Sequence, residues 1–207
     1  MKRVLFILIL FSFALFANSI DNSIALVVND SKIGSGVLIS KDAEVLTNFH
    51  VIDGKKRVKV AFKDNATNFY EARVIKVDKK KDLALLKIEN KTFLKNKKPI
   101  EFASMSKLNL DDKIYYIGHQ NENLWQKSNG YIYQILKEYK WKFEDSFEHK
   151  LSYILELKIV GKEGISGAPV LTQKDLLAGL VSFDNPKKSD MVYAISIYDI
   201  KMFLKNR

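Results

Sequence analysis

The segment Gly164-Ile165-Ser166-Gly167-Ala168-Pro169-Val170 sets one serine between two glycines. Glycine permits backbone conformations that a Cβ forbids, so such a segment can turn sharply, expose the hydroxyl and aim successive N–H groups at one point. Those are the needs of a serine nucleophile with an oxyanion hole. Alone, the same residues also describe an ordinary Gly-Ser turn ahead of a strand. A nucleophilic serine requires a base, most often histidine, and the histidine requires a carboxylate to orient it. The chain has three histidines. His50 ends an apolar strand that starts at Val45, His119 follows a strand at Ile117-Gly118, and His149 lies in a charged stretch. The candidate carboxylate is Asp82, which opens the apolar run Leu83–Ile88. An acid at the mouth of a hydrophobic strand costs desolvation unless it is hydrogen-bonded. The Nδ1–H of His50 would supply that bond. The competing reading is a solvated strand-end aspartate following Lys79-Lys80-Lys81.

Chain order separates the hydrolase classes. In α/β-hydrolases the serine precedes the acid and the histidine. No histidine follows Ser166, so that mechanism cannot be assembled. The subtilisin order would need Asp21, Asp30 or Asp42 and a helix-rich α/β pattern, which is absent. His50, Asp82 and Ser166 stand in the chymotrypsin order.

The elements that must position these residues read as strands. Period-two or short continuous apolar runs occur at Ile24–Val28, Gly36–Ile39, Val58–Phe62, Arg73–Val77, Leu83–Ile88, Lys113–Ile117, Tyr131–Leu136, Leu151–Ile159, Leu176–Phe183 and Met191–Ile195. Leu83–Ile88 is nearly all apolar, which predicts burial on both faces. Leu151, Tyr153, Leu155, Leu157 and Ile159 alternate with Ser152, Glu156 and Lys158 on the opposite face. About ten short strands predict an all-β sandwich or barrels. Helical spacing appears at the end, where Ile197, Ile200, Phe203 and Leu204 form a stripe and Ser196 with Asp199 resembles a capping box. The lysine-rich Asn90–Pro99 reads as a linker dividing the chain into halves of similar strand count. Lys137–Lys150, which mixes Trp141, Phe143 and Phe147 with charges, reads as a mobile loop that docks elsewhere.

Composition bounds the rest. A chain of 207 residues suits one domain or two small subdomains. The absence of cysteine excludes disulfides, Cys-ligated zinc and a cysteine nucleophile. With three histidines, a His-rich metal site is not expected either. Lys2 and Arg3 precede the apolar run Val4–Ala17, in which Ser12 is the only polar residue. A basic start, a short apolar core and a small final residue predict a signal peptide over residues 1–17, with a membrane anchor as the alternative. Export points to a bacterial envelope, periplasmic or secreted, and makes nucleic acid an improbable partner. The net charge is +10, and +8 without the leader's two bases. That charge suits acidic clients or peripheral association with anionic envelope surfaces, as well as a merely solvated lysine-rich surface.

The sequence resembles trypsin-like serine proteases of the bacterial HtrA/Deg type. The matching blocks are Gly34–Ser40, Leu46-Thr47-Asn48-Phe49-His50-Val51, Asp82–Lys87, Gly164–Val170, Ala178–Ser182 and Tyr193-Ala194-Ile195, together covering about residues 24–205. The resemblance implies a chymotrypsin-like fold of two six-stranded antiparallel β-barrels with a C-terminal helix. The leader would end at residue 17 and the protease domain span 18–207. The first barrel would occupy about 24–90, the second about 100–195 and the helix 197–206. His50, Asp82 and Ser166 would be the triad, without metal or cofactor. The N–H groups of Gly164 and Ser166 would form the oxyanion hole. Ser182, Phe183 and Asp184 would pair with the substrate backbone. Ile159, Val160 and Gly161 would line one wall of the specificity pocket, with Ser182 to Asp184 opposite, Val160 where trypsin has its basic-selective aspartate, and Lys162 as a further substrate-binding candidate. An apolar preference follows. Two residues depart from the pattern: Ile165 replaces Asn or Asp, and Ala168 replaces the second glycine. The sequence ends after the first helix beyond the barrels, so a PDZ domain is not expected. The expected function is an exported endopeptidase acting on unfolded or exposed protein segments. The alternative is a non-catalytic, chaperone-like binding protein on the same fold. Nothing in the sequence sets the oligomeric state.

Overall fold

Alternation within the apolar runs explains how one chain builds two barrels that share a face. In the strand Leu83–Ile88, Ala84, Leu86 and Ile88 enter one hydrophobic cluster while Leu83 and Leu85 enter another. In Ile24–Asn29, Ala25 and Val27 join the first cluster while Ile24 and Leu26 join the second. Successive strand side chains point to opposite faces, so a strand with a core on each side must be apolar at nearly every position. The expected two-sided burial of Leu83–Ile88 is therefore observed. One cluster is the interior of the first barrel. The other fills the second barrel and the seam between the two.

The computed structural model describes residues 20–30, 32–120, 123–142, 147–161, 164–185 and 188–205. The leader expected over 1–17 lies outside these residues. Strands β1 (Ile24–Asn29), β2 (Lys32–Leu38), β3 (Glu44–Thr47), β4 (Arg57–Phe62), β5 (Asn65–Asp78) and β6 (Leu83–Ile88) close a barrel in the order β1-β2-β3-β6-β5-β4. Strands β7 (Lys113–Gln120), β8 (Asn123–Lys142), β9 (Glu148–Lys158), β10 (Pro169–Thr172), β11 (Leu177–Asn185) and β12 (Lys188–Ser196) close a second barrel. Its order, β7-β8-β9-β12-β11-β10, repeats the topology of the first, although no sequence repeat is visible. A one-turn helix, α1 (Phe49–Ile52), follows β3, and α2 (Ile197–Lys205) follows β12. Ile197, Ile200 and Phe203 of α2 are buried in the shared cluster, and Ser196 and Asp199 make the expected mutual cap at 3.3 Å.

Two sequence expectations require correction. Lys137–Lys150 is not a loop. Lys137–Lys142 continues β8 and Glu148–Lys150 begins β9, with Trp141 opposite His149 in an antiparallel ladder. The long hairpin docks on the first barrel, where the Lys150 N–H donates to the Lys80 carbonyl at 2.8 Å. Asn90–Pro99 is not a free linker. It forms a 3₁₀ turn over Lys91–Asn96, and Phe93, buried, stacks on Phe62 at 5.1 Å. Glu156 lies on the face it shares with Ser152 and Lys158, as the alternation implies. It is buried beneath Tyr193, whose hydroxyl donates to it at 3.0 Å.

Candidate active site

Strand pairing brings the acid and the base together. β3 and β6 run antiparallel with Thr47 opposite Ala84, so the residues just beyond each strand meet at one end of the ladder. The Asp82 carbonyl accepts the Phe49 N–H at 3.2 Å and Asn48 Nδ2 at 3.0 Å, which extends the pairing into α1. His50 therefore sits on the helical turn α1, not at the end of the strand as its apolar context implied. Asp82 has φ +55°, a left-handed conformation that a non-glycine residue holds only when its surroundings fix it. Its fully buried carboxylate supplies that fixation. One oxygen accepts the His50 N–H at 3.0 Å, while the other lies 2.8 Å from His50 Nδ1 and accepts Ser182 Oγ at 2.6 Å.

The nucleophile turn comes from the other barrel. Gly164 and Gly167 have φ of +92° and +83°, values that favour glycine on either side of Ser166. The turn is closed by Ala168 N–H to the Ile165 carbonyl at 2.8 Å and anchored by Gly167 N–H to the Val181 carbonyl at 2.9 Å. Ser166 Oγ donates to the Ser182 carbonyl at 3.2 Å. Ser182 thus touches both halves of the site, its hydroxyl on Asp82 and its carbonyl on Ser166. Sequence reasoning placed Ser182 on the substrate edge alone. Its contact with the acid went unread because it depends on a β-bulge in β11 between Val181 and Phe183. Among the described residues, the N–H groups of Gly164 and Ser166 have no hydrogen-bond partner.

Both departures from the resembled motif fit their surroundings. The Ala168 methyl is fully buried and faces Gly118, where an added Cβ would lie only 2.9 Å away. Ile165 is buried in the seam cluster beside Gly161.

The remaining expected residues are dispersed around this centre. Val160 is 54% exposed, and its carbonyl accepts the Tyr116 hydroxyl at 2.7 Å. Gly161 packs against Val192 and Ile165. Lys162 lies outside the described residues. Phe183 is half-buried and stacks on Tyr193 at 4.8 Å and on Trp141 of the hairpin at 5.3 Å, while Asp184 is exposed. His119 and His149 are buried, and the Asp82 carboxylate is bonded to His50 and Ser182. His149 stacks on Trp141, and His119 meets Trp125 edge-on. Burial lowers the pKa of His119 to about 4, opposed by the Ala25 carbonyl nearby. Its Nε2 nonetheless makes no hydrogen bond among the described residues.

Residues 34–180 match the trypsin-like peptidase domain family. The chain is 48% identical over 58 residues to serine protease HTRA1 of Xenopus laevis, covering 28% of this chain and 12% of that protein. It is 28% identical over 166 residues to the magnetosome formation protease MamE of Magnetospirillum gryphiswaldense, covering 80% of this chain and 20% of that protein. The chain therefore spans only a small part of these relatives. Among solved structures, the active form of the Rv3671c protease from M. tuberculosis superimposes with a TM-score of 0.78 at 18% identity, covering 91% of this chain and 83% of that one. The double barrel, with a serine turn from one barrel facing an acid–histidine pair from the other, is the trypsin-like architecture. This chain belongs to the trypsin-like peptidase domain family, and its curated relatives include HtrA proteases.

Proposed function

We propose that the chain is an exported serine endopeptidase that cleaves unfolded or exposed protein segments through an acyl-enzyme. The observation that carries this reading is the 2.8 Å contact between His50 Nδ1 and the buried Asp82, joined to Ser166 through Ser182. On this reading the Ser166 hydroxyl leaves the Ser182 carbonyl and donates to His50 Nε2. Its oxygen attacks the scissile carbonyl as its proton passes to the imidazole. The C–N bond then breaks, and the same proton goes to the leaving amine. Water repeats the sequence on the ester, which releases the acid and restores Ser166. Asp82 holds the Nδ1–H tautomer and stabilises the imidazolium. The Gly164 and Ser166 N–H groups face the developing oxyanion, and losing one such donor typically costs about 2.7–4 kcal/mol in enzymes of this chemistry. The substrate backbone adds to β11 along Ser182–Asp184. Val160, at the position of trypsin's basic-selective aspartate, favours an apolar side chain in the primary pocket. Export rests on the composition of residues 1–17.

A binding role without catalysis draws its support from Ile165, Ala168 and the charge of +8. The burial of both side chains in matching spaces favours the catalytic reading over the first two of these grounds. A fluorophosphonate is expected to label the protein at Ser166, and Ser166→Ala to abolish both labelling and casein cleavage. Labelling that persists in Ser166→Ala overturns the assignment of the nucleophile.

A further inference from the structure

The nucleophile turn of the second barrel is gripped by one residue of the first. Ser35 on β2 is fully buried and uses every polar group it has at this point. Its N–H donates to the Ser166 carbonyl at 2.7 Å. Its Oγ donates to the Gly164 carbonyl at 3.2 Å and accepts the His119 N–H at 3.1 Å. Its own carbonyl accepts Thr47 Oγ1 at 2.7 Å. The flanking sequence makes this approach possible. A Cβ on Gly34 would stand 3.2 Å from the Ser166 carbonyl oxygen, and a Cβ on Gly167 would stand 1.9 Å from the Ser35 carbonyl oxygen. A Cβ on Gly118 would stand 3.2 Å from Ser35 Oγ. Backbone packs on backbone here because the side chains are missing on three sides.

We infer that Ser35 is a positioning residue that holds the Gly164–Ser166 turn in its oxyanion-binding form. The inference rests on the protease reading above. Two carbonyls of a three-residue turn are fastened to Ser35, which fixes the peptide planes that follow Gly164 and Ser166. Those two planes flank the Ile165–Ser166 peptide, which carries the Ser166 N–H, so a flip of that peptide away from an oxyanion must pivot between two anchors held by Ser35 and also break the Ala168 N–H bond to the Ile165 carbonyl. The hydroxyl is the separable part of this grip, because any residue at position 35 keeps the N–H bond to Ser166. Removing it also strands the His119 N–H. The effect belongs to the step in which the oxyanion forms, and not to substrate capture.

The test is the kinetics of fluorophosphonate labelling of the full chain, separated into reversible affinity and the rate of the bond-forming step. In Ser35→Ala the bond-forming rate is expected to fall by about tenfold, the equivalent of one buried hydrogen bond, with affinity within twofold of wild type. Ser23→Ala is the control. It deletes another shielded hydroxyl, bonded to the Lys98 carbonyl at 2.5 Å, without touching the turn, and should label at the wild-type rate. If Ser35→Ala does not fold, Ser35→Cys fills the space with a weak donor and should show the same split. A wild-type bond-forming rate in the Ser35 variants overturns the inference and leaves the protease reading standing. So does a loss confined to affinity, or an equal loss in Ser23→Ala. A wild-type protein that is not labelled at all overturns both.

Discussion

Ala168 carries a methyl group where the resembled motif has hydrogen, and Gly118 gives it room. The two positions lie on neighbouring strands of the second barrel, Gly118 in β7 and Ala168 at the entrance to β10. Their side-chain volumes are therefore coupled. Gly118→Ala is expected to destabilise the fold by about 1–3 kcal/mol through overpacking. Ala168→Gly in the same chain should recover at least half of that loss, leaving the residual contact with Ser35 Oγ. Urea denaturation of the single and double variants measures the coupling, and strictly additive effects would contradict it. At this scale the sequence was informative wherever a residue acts through its own type and place in the chain order. His50, Asp82 and Ser166 were picked out because no histidine follows the serine. Ser182 and Ser35 fall within the resembled blocks Ala178–Ser182 and Gly34–Ser40, but their contacts are created only by a bulge and a barrel seam, which no local pattern shows.

Among the elements, α2 is the one whose packing reaches furthest. Asp199, in its first turn, is fully buried. Its carboxylate accepts Lys81 Nζ at 2.9 Å, the Tyr153 N–H at 2.9 Å, the Ser152 N–H at 3.2 Å and Ser196 Oγ at 3.3 Å. One side chain thus joins the helix, the β8–β9 hairpin and the loop that leads into Asp82. Further along α2, the Phe203 carbonyl accepts Lys76 Nζ at 2.5 Å. Asp199→Asn removes the charge facing Lys81 and sets an NH₂ among donors, which is expected to cost about 3 kcal/mol in urea denaturation. A loss below about 1 kcal/mol would show that the loop is held by other contacts. The capping box was legible, but its three further partners were not, since they come from distant parts of the chain. The hairpin was misread for a related reason. Beyond the barrel its strands are covered on one face only, so Lys137, Glu138, Lys140, Lys142 and Lys150 give it the polarity of a loop.

The whole molecule is two barrels joined without a disulfide, so the seam must hold by packing and by a few crossing hydrogen bonds. Trp125 makes one of them, donating from Nε1 to the Ile24 carbonyl of the first barrel at 2.9 Å, and its N–H donates to His119 Nδ1 at 3.3 Å. His119 makes this seam sensitive to acid. In the unfolded chain the imidazole takes a proton near pH 6.5, whereas in the folded chain burial delays this to about pH 4. Between those values the unfolded state binds the extra proton. Stability therefore falls as pH drops from 6.5 towards 4, by about 3 kcal/mol from this group. Unfolding free energies of wild type and His119→Gln should differ most at neutral pH and converge towards pH 4.5. A gap that does not change with pH would rule out this role for His119. The repeated barrel order was legible only as a similar strand count in each half, because packing constrains which positions are apolar and not which apolar residue fills them.

The tie between Lys81 and Asp199 spans 118 positions of the chain. A ribosome adds residues from the N-terminus onward, so the loop that presents Asp82 is made long before the helix that fastens it. The serine turn likewise waits for a barrel finished only near the end of the described chain. A half-made copy holds His50 and Asp82 without Ser166. On the proposed protease reading, the two halves of the site can therefore meet only after Asp199 has been made.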